Sequence, residues 1–156
     1  MKIRTLFFIF AIFFSGCVTV ETCDEDNESE LVALLKTVKD GITIDSTVTS
    51  LTLYGIREGR TDSLLYNSLP TSGFIVPLNP QPGFSQFVLS IDDLTDTLTI
   101  HHRHERYMIS YTCGFGNLFT IEKIEHSFTI FNKDSIISTL VDEVYEDDEE
   151  HIWLYL

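Results

Sequence analysis

The densest group of side chains able to do chemistry is Ile100-His101-His102-Arg103-His104-Glu105-Arg106. Imidazole is a common ligand for transition metals, and alternate residues of an extended segment share a face. His102 and His104 could thus reach one ion, with a carboxylate brought from elsewhere, so His101, His102 and His104 are the candidate metal ligands. Two ligands on one face are too few, and Arg103 and Arg106 put positive charge where a cation would sit. The stronger expectation is a hairpin turn with solvated imidazoles. His126 and His151 are too isolated in sequence to add to the set.

Other chemistries fare worse. The chain has no G-x-S-x-G elbow, no P-loop and no dinucleotide fingerprint. Its carboxylates concentrate in two acidic runs, Asp24–Glu30 and Asp147–Glu150, which read as solvated faces. Asp24, Asp26 and Glu28 faintly suggest a calcium loop, but Ser29 and Leu35 stand where that loop needs glycine and a bidentate glutamate. No catalytic residue and no cofactor are expected, and no His held by a Ser or Cys inside an enclosed cleft.

The elements that must position these groups are strands. Leu31–Val38 is apolar at helical spacing, but it is short and stops at Lys39-Asp40-Gly41, so a strand is expected. Further strands are expected over Thr47–Tyr54, ending at Gly55, over Asp62–Ser68, and over Gly73–Leu78, where Pro77 fits only an edge or an end. After the Asn79–Gly83 loop, Phe84–Ile91 alternates, with Phe87, Leu89 and Ile91 on one face. Asp92-Asp93 turns the chain into Thr95–His102. Tyr107–Cys113 alternates again, which aims Cys113 at the core, and Gly114-Phe115-Gly116 should break that strand. Leu118–Phe131, Ile136–Val144 and His151–Leu156 complete the series, with an acidic turn, Glu146–Glu150, before the last. About eight to ten short strands without a repeat describe an all-β protein, an antiparallel, immunoglobulin-like β-sandwich. A strand at the very terminus must pair with a neighbour to stay ordered.

The start of the chain, MKIRTLFFIFAIFFSGC, reads as a lipoprotein signal peptide. Lys2 and Arg4 precede an apolar run, Thr5–Phe14, too short to span a bilayer, which takes about 20 residues. Small residues before Cys17 suit cleavage and lipidation there. The expected organisation is signal peptide 1–16, acidic tether 17–30 and a single sandwich domain 31–156. Without Lys2 and Arg4, 8 basic residues face 24 acidic ones, a formal charge of −16. Such a chain is repelled by nucleic acid and anionic headgroups, so no nucleic-acid partner is expected, and membrane attachment falls to the acyl chains. With Cys17 lipidated, Cys23 and Cys113 remain, and export favours a disulfide between them over two buried free thiols.

Several features occur together: the acidic segment with its second cysteine, Ser68-Leu69-Pro70, Pro77-Leu78-Asn79, and the run Ile109–Gly116. In these the chain resembles a family of small Bacteroidota cell-envelope lipoproteins that carry an uncharacterised domain. The resemblance implies export, lipid anchoring and a β-rich fold, and it supplies no activity; the expected location is the outer membrane, facing the surface or the periplasm. Four triplets, Asp45-Ser46-Thr47, Asp62-Ser63-Leu64, Asp96-Thr97-Leu98 and Asp134-Ser135-Ile136, are similar to O-glycan acceptor sequences of that bacterial group. This makes Ser46, Ser63, Thr97 and Ser135 candidate acceptors, although Asp before a hydroxyl residue is also how a turn gives way to a strand. The expected role is a lipid-anchored, non-enzymatic cell-envelope module meeting an envelope protein or glycan. The alternative is a divalent-metal or small-ligand protein using His101–His104.

Overall fold

The computed structural model describes residues 29–57, 60–81, 83–142 and 149–156, without the side chains of residues 60–62. The signal segment, Cys17 and Cys23 lie outside the described residues. Among the described residues eleven strands follow one another: β1 (Glu30–Lys39), β2 (Ile42–Asp45), β3 (Val48–Arg57), β4 (Arg60–Thr71), β5 (Gly73–Pro77), β6 (Phe84–Ile91), β7 (Leu94–Ser110), β8 (Gly114–His126), β9 (Lys133–Ile136), β10 (Leu140–Val141) and β11 (Ile152–Tyr155).

They build an all-β protein of two sheets. Six strands form an antiparallel sheet in the order β10-β8-β7-β6-β3-β4; five form a mixed sheet, β2-β1-β11-β9 with β5 also on β1. The expected purely antiparallel sandwich is corrected at one ladder: β1 and β11 run parallel, with Ala33 opposite Ile152 and Lys36 opposite Tyr155. The strand count is also higher than expected. Residues 133–141 divide into β9, paired with β11, and β10, paired with β8, so this stretch serves both sheets.

One interior joins the sheets. Leu31, Ala33 and Leu35 of β1 with Ile152 and Leu154 of β11 share a core with Leu51 and Leu53 of β3, Phe87 and Leu89 of β6, and Leu98 and Ile100 of β7. Each leucine, isoleucine or phenylalanine among them contributes about 1.5–3 kcal/mol when fully buried. The terminal strand β11 lies between β1 and β9, so it is paired along both edges. Its neighbour Glu150 accepts the Trp153 indole N–H and lies 3.9 Å from the Lys36 ammonium, which also pairs with Asp45 at 2.6 Å.

Turn chemistry explains the hairpins. Asp40 and Gly41 both have positive φ, 53° and 80°, the two-residue geometry that matches strand twist between β1 and β2. Gly73 lets β5 approach β1 closely, since a Cβ there would stand 2.5 Å from the Ala33 carbonyl oxygen.

Three expected strand ends are corrected. Gly55 does not stop β3, which continues to Arg57, and β4 runs from Arg60 through Pro70 because it is the edge of its sheet. His101–Arg106 is no turn. It contains no Gly, Pro, Asn or Asp to turn on, and β7 runs through it for 17 residues. Gly114 opens β8 and does not end a strand; Tyr111-Thr112-Cys113 is the turn, and Cys113 is half-buried there instead of aimed at the core.

Candidate functional site

On β7 the residues Asp96, Leu98, Ile100 and His102 are buried in alternation, so His102 extends an inward row. Burial of an imidazole demands partners, and the neighbouring strand supplies one. Ser85, on the buried face of β6 that also carries Phe87 and Leu89, has its Oγ 3.1 Å from His102 Nε2. The same oxygen accepts the Asn79 N–H at 2.8 Å, which ties the β5–β6 loop to the pair. His102 Nδ1 is buried and has no hydrogen-bond partner among the described residues. Burial, followed by the nearby His104 and His101, pushes the His102 pKa below the ordinary histidine value, against the opposing pull of Glu122. The ring is thereby kept neutral.

His104 shares the face of His102, as alternation requires, but the two bond different partners, Asn117 and Ser85. Phe119 stands with them, its ring centroid 5.0 Å from that of His102 and 4.9 Å from that of His104. His104 Nε2 lies 2.8 Å from Asn117 Oδ1, a carbonyl oxygen that only accepts, so this nitrogen carries a proton. His101 is opposite Lys123 in the ladder and lies 3.4 Å from Glu125. Arg103 pairs with Glu105 and Glu122 at the surface. Among the described residues no group of three His, Cys, Asp or Glu is placed to hold a metal ion.

Beside this polar row opens a groove of about 340 Å³. Its lining includes Ser85, Asn117 and Phe119 together with Gly55, Ile56 and Arg57 of β3, Ser63 and Leu65 of β4, and Leu78, Asn79 and Pro80 of the β5–β6 loop. Ser29 also lines it, its hydroxyl donating to the Asn117 carbonyl at 2.8 Å. Among the described residues, Arg57 is the one charged residue of the lining. The groove's described lining thus offers neutral donors and acceptors, apolar surface and a single guanidinium.

The remaining predicted positions are scattered. Thr97 and Ser63 are exposed, whereas Ser46 and Ser135 are half-buried in or beside strands. The aspartates that precede them have structural partners: Asp45 takes the Lys36 ammonium, and Asp134 lies 3.3 Å from His126. Buried His151 accepts the Val32 N–H on Nδ1 at 3.0 Å. The sequence reading missed Ser85 and Asn117; it expected no His held by a Ser or Cys inside an enclosed cleft, and the His102–Ser85 pair lies buried beside an open groove. Ser85 shares the face of Phe87 and Leu89, which was legible; that β6 lies beside β7 at His102 was not.

The fold and groove define a class, an all-β two-sheet protein with an open, mostly neutral groove. The chain belongs to DUF6452, a family of unknown function, which it matches over residues 50–156. No curated protein and no solved structure matches it.

Proposed function

We propose that this chain is a lipid-anchored, non-enzymatic module of the cell envelope, on an immunoglobulin-like scaffold, that holds an envelope protein or glycan in the groove beside Ser85 and Asn117. The described lining carries the reading: hydroxyl, amide and apolar groups around the one guanidinium among the described residues suit recognition of an uncharged or weakly anionic polar ligand. The His102–Ser85 pair argues for structure over hydrolysis. Ser85 is only 4% exposed and already accepts the Asn79 N–H, and no carboxylate among the described residues bonds His102 Nδ1 to orient the ring. The metal alternative loses support from the spread of His101, His102 and His104, while its small-ligand half merges with the groove. Residues 1–17 support anchoring in the outer membrane, Cys23 and Cys113 support a disulfide in an exported chain, and exposed Ser63 and Thr97 are the better-placed glycan acceptors.

Photo-crosslinking amino acids at Arg57 and Pro80, both at the groove, test this in living cells. They should give one shared adduct that the same probe at exposed Lys39 does not give. An identical pattern from Lys39 would remove the groove as the recognition site. Cys17→Ala should leave the chain uncleaved or soluble, and wild-type membrane association would overturn the anchor.

A further inference from the structure

The β7–β8 hairpin outruns its sheet. These strands pair with each other from Leu98–His126 to Ser110–Gly114, whereas β6 covers β7 only along Leu94–His101 and β10 covers β8 only at Phe119–Thr120. Past that point the two strands form a ribbon. Its end, Tyr107–Gly116, contains no charged residue in a chain that is 22% charged. Its large apolar side chains face solvent: Tyr111 is 99% exposed, Phe115 59%, Met108 47% and Ile109 40%. Met108 and Phe115 are directly opposite across the ladder, and the Arg106 guanidinium lies over the Phe115 ring at 5.2 Å. The turn satisfies polar groups within itself, because Ser110 Oγ accepts the Cys113 N–H at 3.0 Å and bonds Thr112 Oγ1. An aromatic, uncharged tip with one arginine behind it has the composition of a membrane-interface element.

The course of the chain says which surface this tip meets. Ser29 is fixed at the root of the ribbon by its bond to the Asn117 carbonyl. Twelve steps of chain separate Ser29 from Cys17 and can extend to about 40 Å, while the ribbon from Asn117 to its turn rises about 13 Å. A lipid on Cys17 can therefore lie level with the tip. We propose that the tip Tyr107–Gly116 seats in the surface of the bilayer that holds the lipid, and so fixes the sandwich relative to the membrane with the groove beside the ribbon's root. The inference rests on the lipid anchor of the proposed function. The acyl chains hold the chain to the bilayer without orienting it, and an apolar tip adds a second contact that needs no anionic lipid.

The test uses the full chain, purified from membranes and reconstituted in phosphatidylcholine vesicles with and without brominated acyl chains. Tyr111→Trp places an indole at the apex, and the unmodified chain, whose one tryptophan is Trp153, gives the baseline. The variant's added emission should be quenched several-fold by brominated lipid and should not change with salt. An added indole that brominated lipid leaves unquenched overturns the proposal. Incorporation of a labelled fatty acid into the same chain reads the anchor separately. Label without quenching keeps the anchor and rejects the tip; quenching without label keeps the tip and rejects the anchor; neither rejects both.

Discussion

Asp96 and His102 face the same interior from the same strand, and each is at most 2% exposed. Their surroundings differ completely. The Asp96 carboxylate accepts the Ser127 N–H at 2.7 Å and the Ser127 hydroxyl on one oxygen, and the N–H groups of Thr129, Ile130 and Phe131 on the other. Burial by itself would raise its pKa; the hydrogen bonds from Ser127, Ile130 and Phe131 outweigh burial and hold it below the ordinary aspartate value. His102 has one side-chain hydrogen bond and an unpartnered nitrogen. A buried charge persists only where donors surround it, whereas a buried group that can be neutral tolerates an incomplete set. Asp96 therefore organises the segment after β8. His102 fills the interior at the groove.

The largest effect that can break this contrast comes from Asp96→Ala. It strands the four backbone donors of Ser127, Thr129, Ile130 and Phe131, and hydrogen bonds to charged groups contribute about 1.5–3 kcal/mol apiece without adding fully. A loss of at least about 3 kcal/mol is expected in denaturant unfolding. A loss comparable to that of an exposed surface substitution would mean that the segment folds without its anion.

Ser85→Ala comes next. It removes the acceptor of the Asn79 N–H and the partner of His102 Nε2, at an expected cost of about 1–2 kcal/mol. The protection of the Asn79 amide against hydrogen exchange should fall with it. Unchanged protection would show that the loop is held by other contacts.

These contrasts were partly legible in the sequence. Alternation gave the faces of β6 correctly, because a period of two records burial directly. It also implied that His102 and His104 share a face. What the sequence could not show was adjacency: that β6 brings Ser85 to His102, that Asn117 meets His104, or that Asp96 faces Ser127–Phe131, 31 to 35 residues away. The parallel β1–β11 ladder was hidden for the same reason, since pairing between the two ends of a chain leaves no local pattern. Composition misled at His101–Arg106, where a polar run that reads as a turn is the continuation of a strand whose outward residues are charged. At Tyr107–Cys113 alternation misled in the opposite sense: the strand extends beyond the partner sheet, so its apolar face meets solvent instead of a core.

The smallest effect on stability is expected from His102→Phe, and it sharpens the comparison most. Phenylalanine keeps a ring beside Phe119, where His102 now packs edge-on at an interplanar angle of 86°. The substitution removes the unpartnered Nδ1 and gives up the bond to Ser85, whose Oγ still accepts the Asn79 N–H. These changes oppose each other, so neutral-pH stability should shift by less than about 1 kcal/mol. The pH profile is where the variant should differ. The folded pKa of His102 lies below its unfolded value, so its contribution is complete above about pH 6.5, the unfolded histidine range. It is lost as pH falls from there through the folded pKa, because the unfolded chain takes up the proton first. His151, lowered by burial against the pull of Glu149 and Asp142, acts in the same direction. Asp96, with its depressed pKa, withdraws its contribution only further down, below the ordinary aspartate range. Wild-type stability should therefore decline in two stages on acidification. In His102→Phe the first stage should shrink to the part due to His151, while the second stays. An unaltered first stage would show that His102 is not held neutral by the fold.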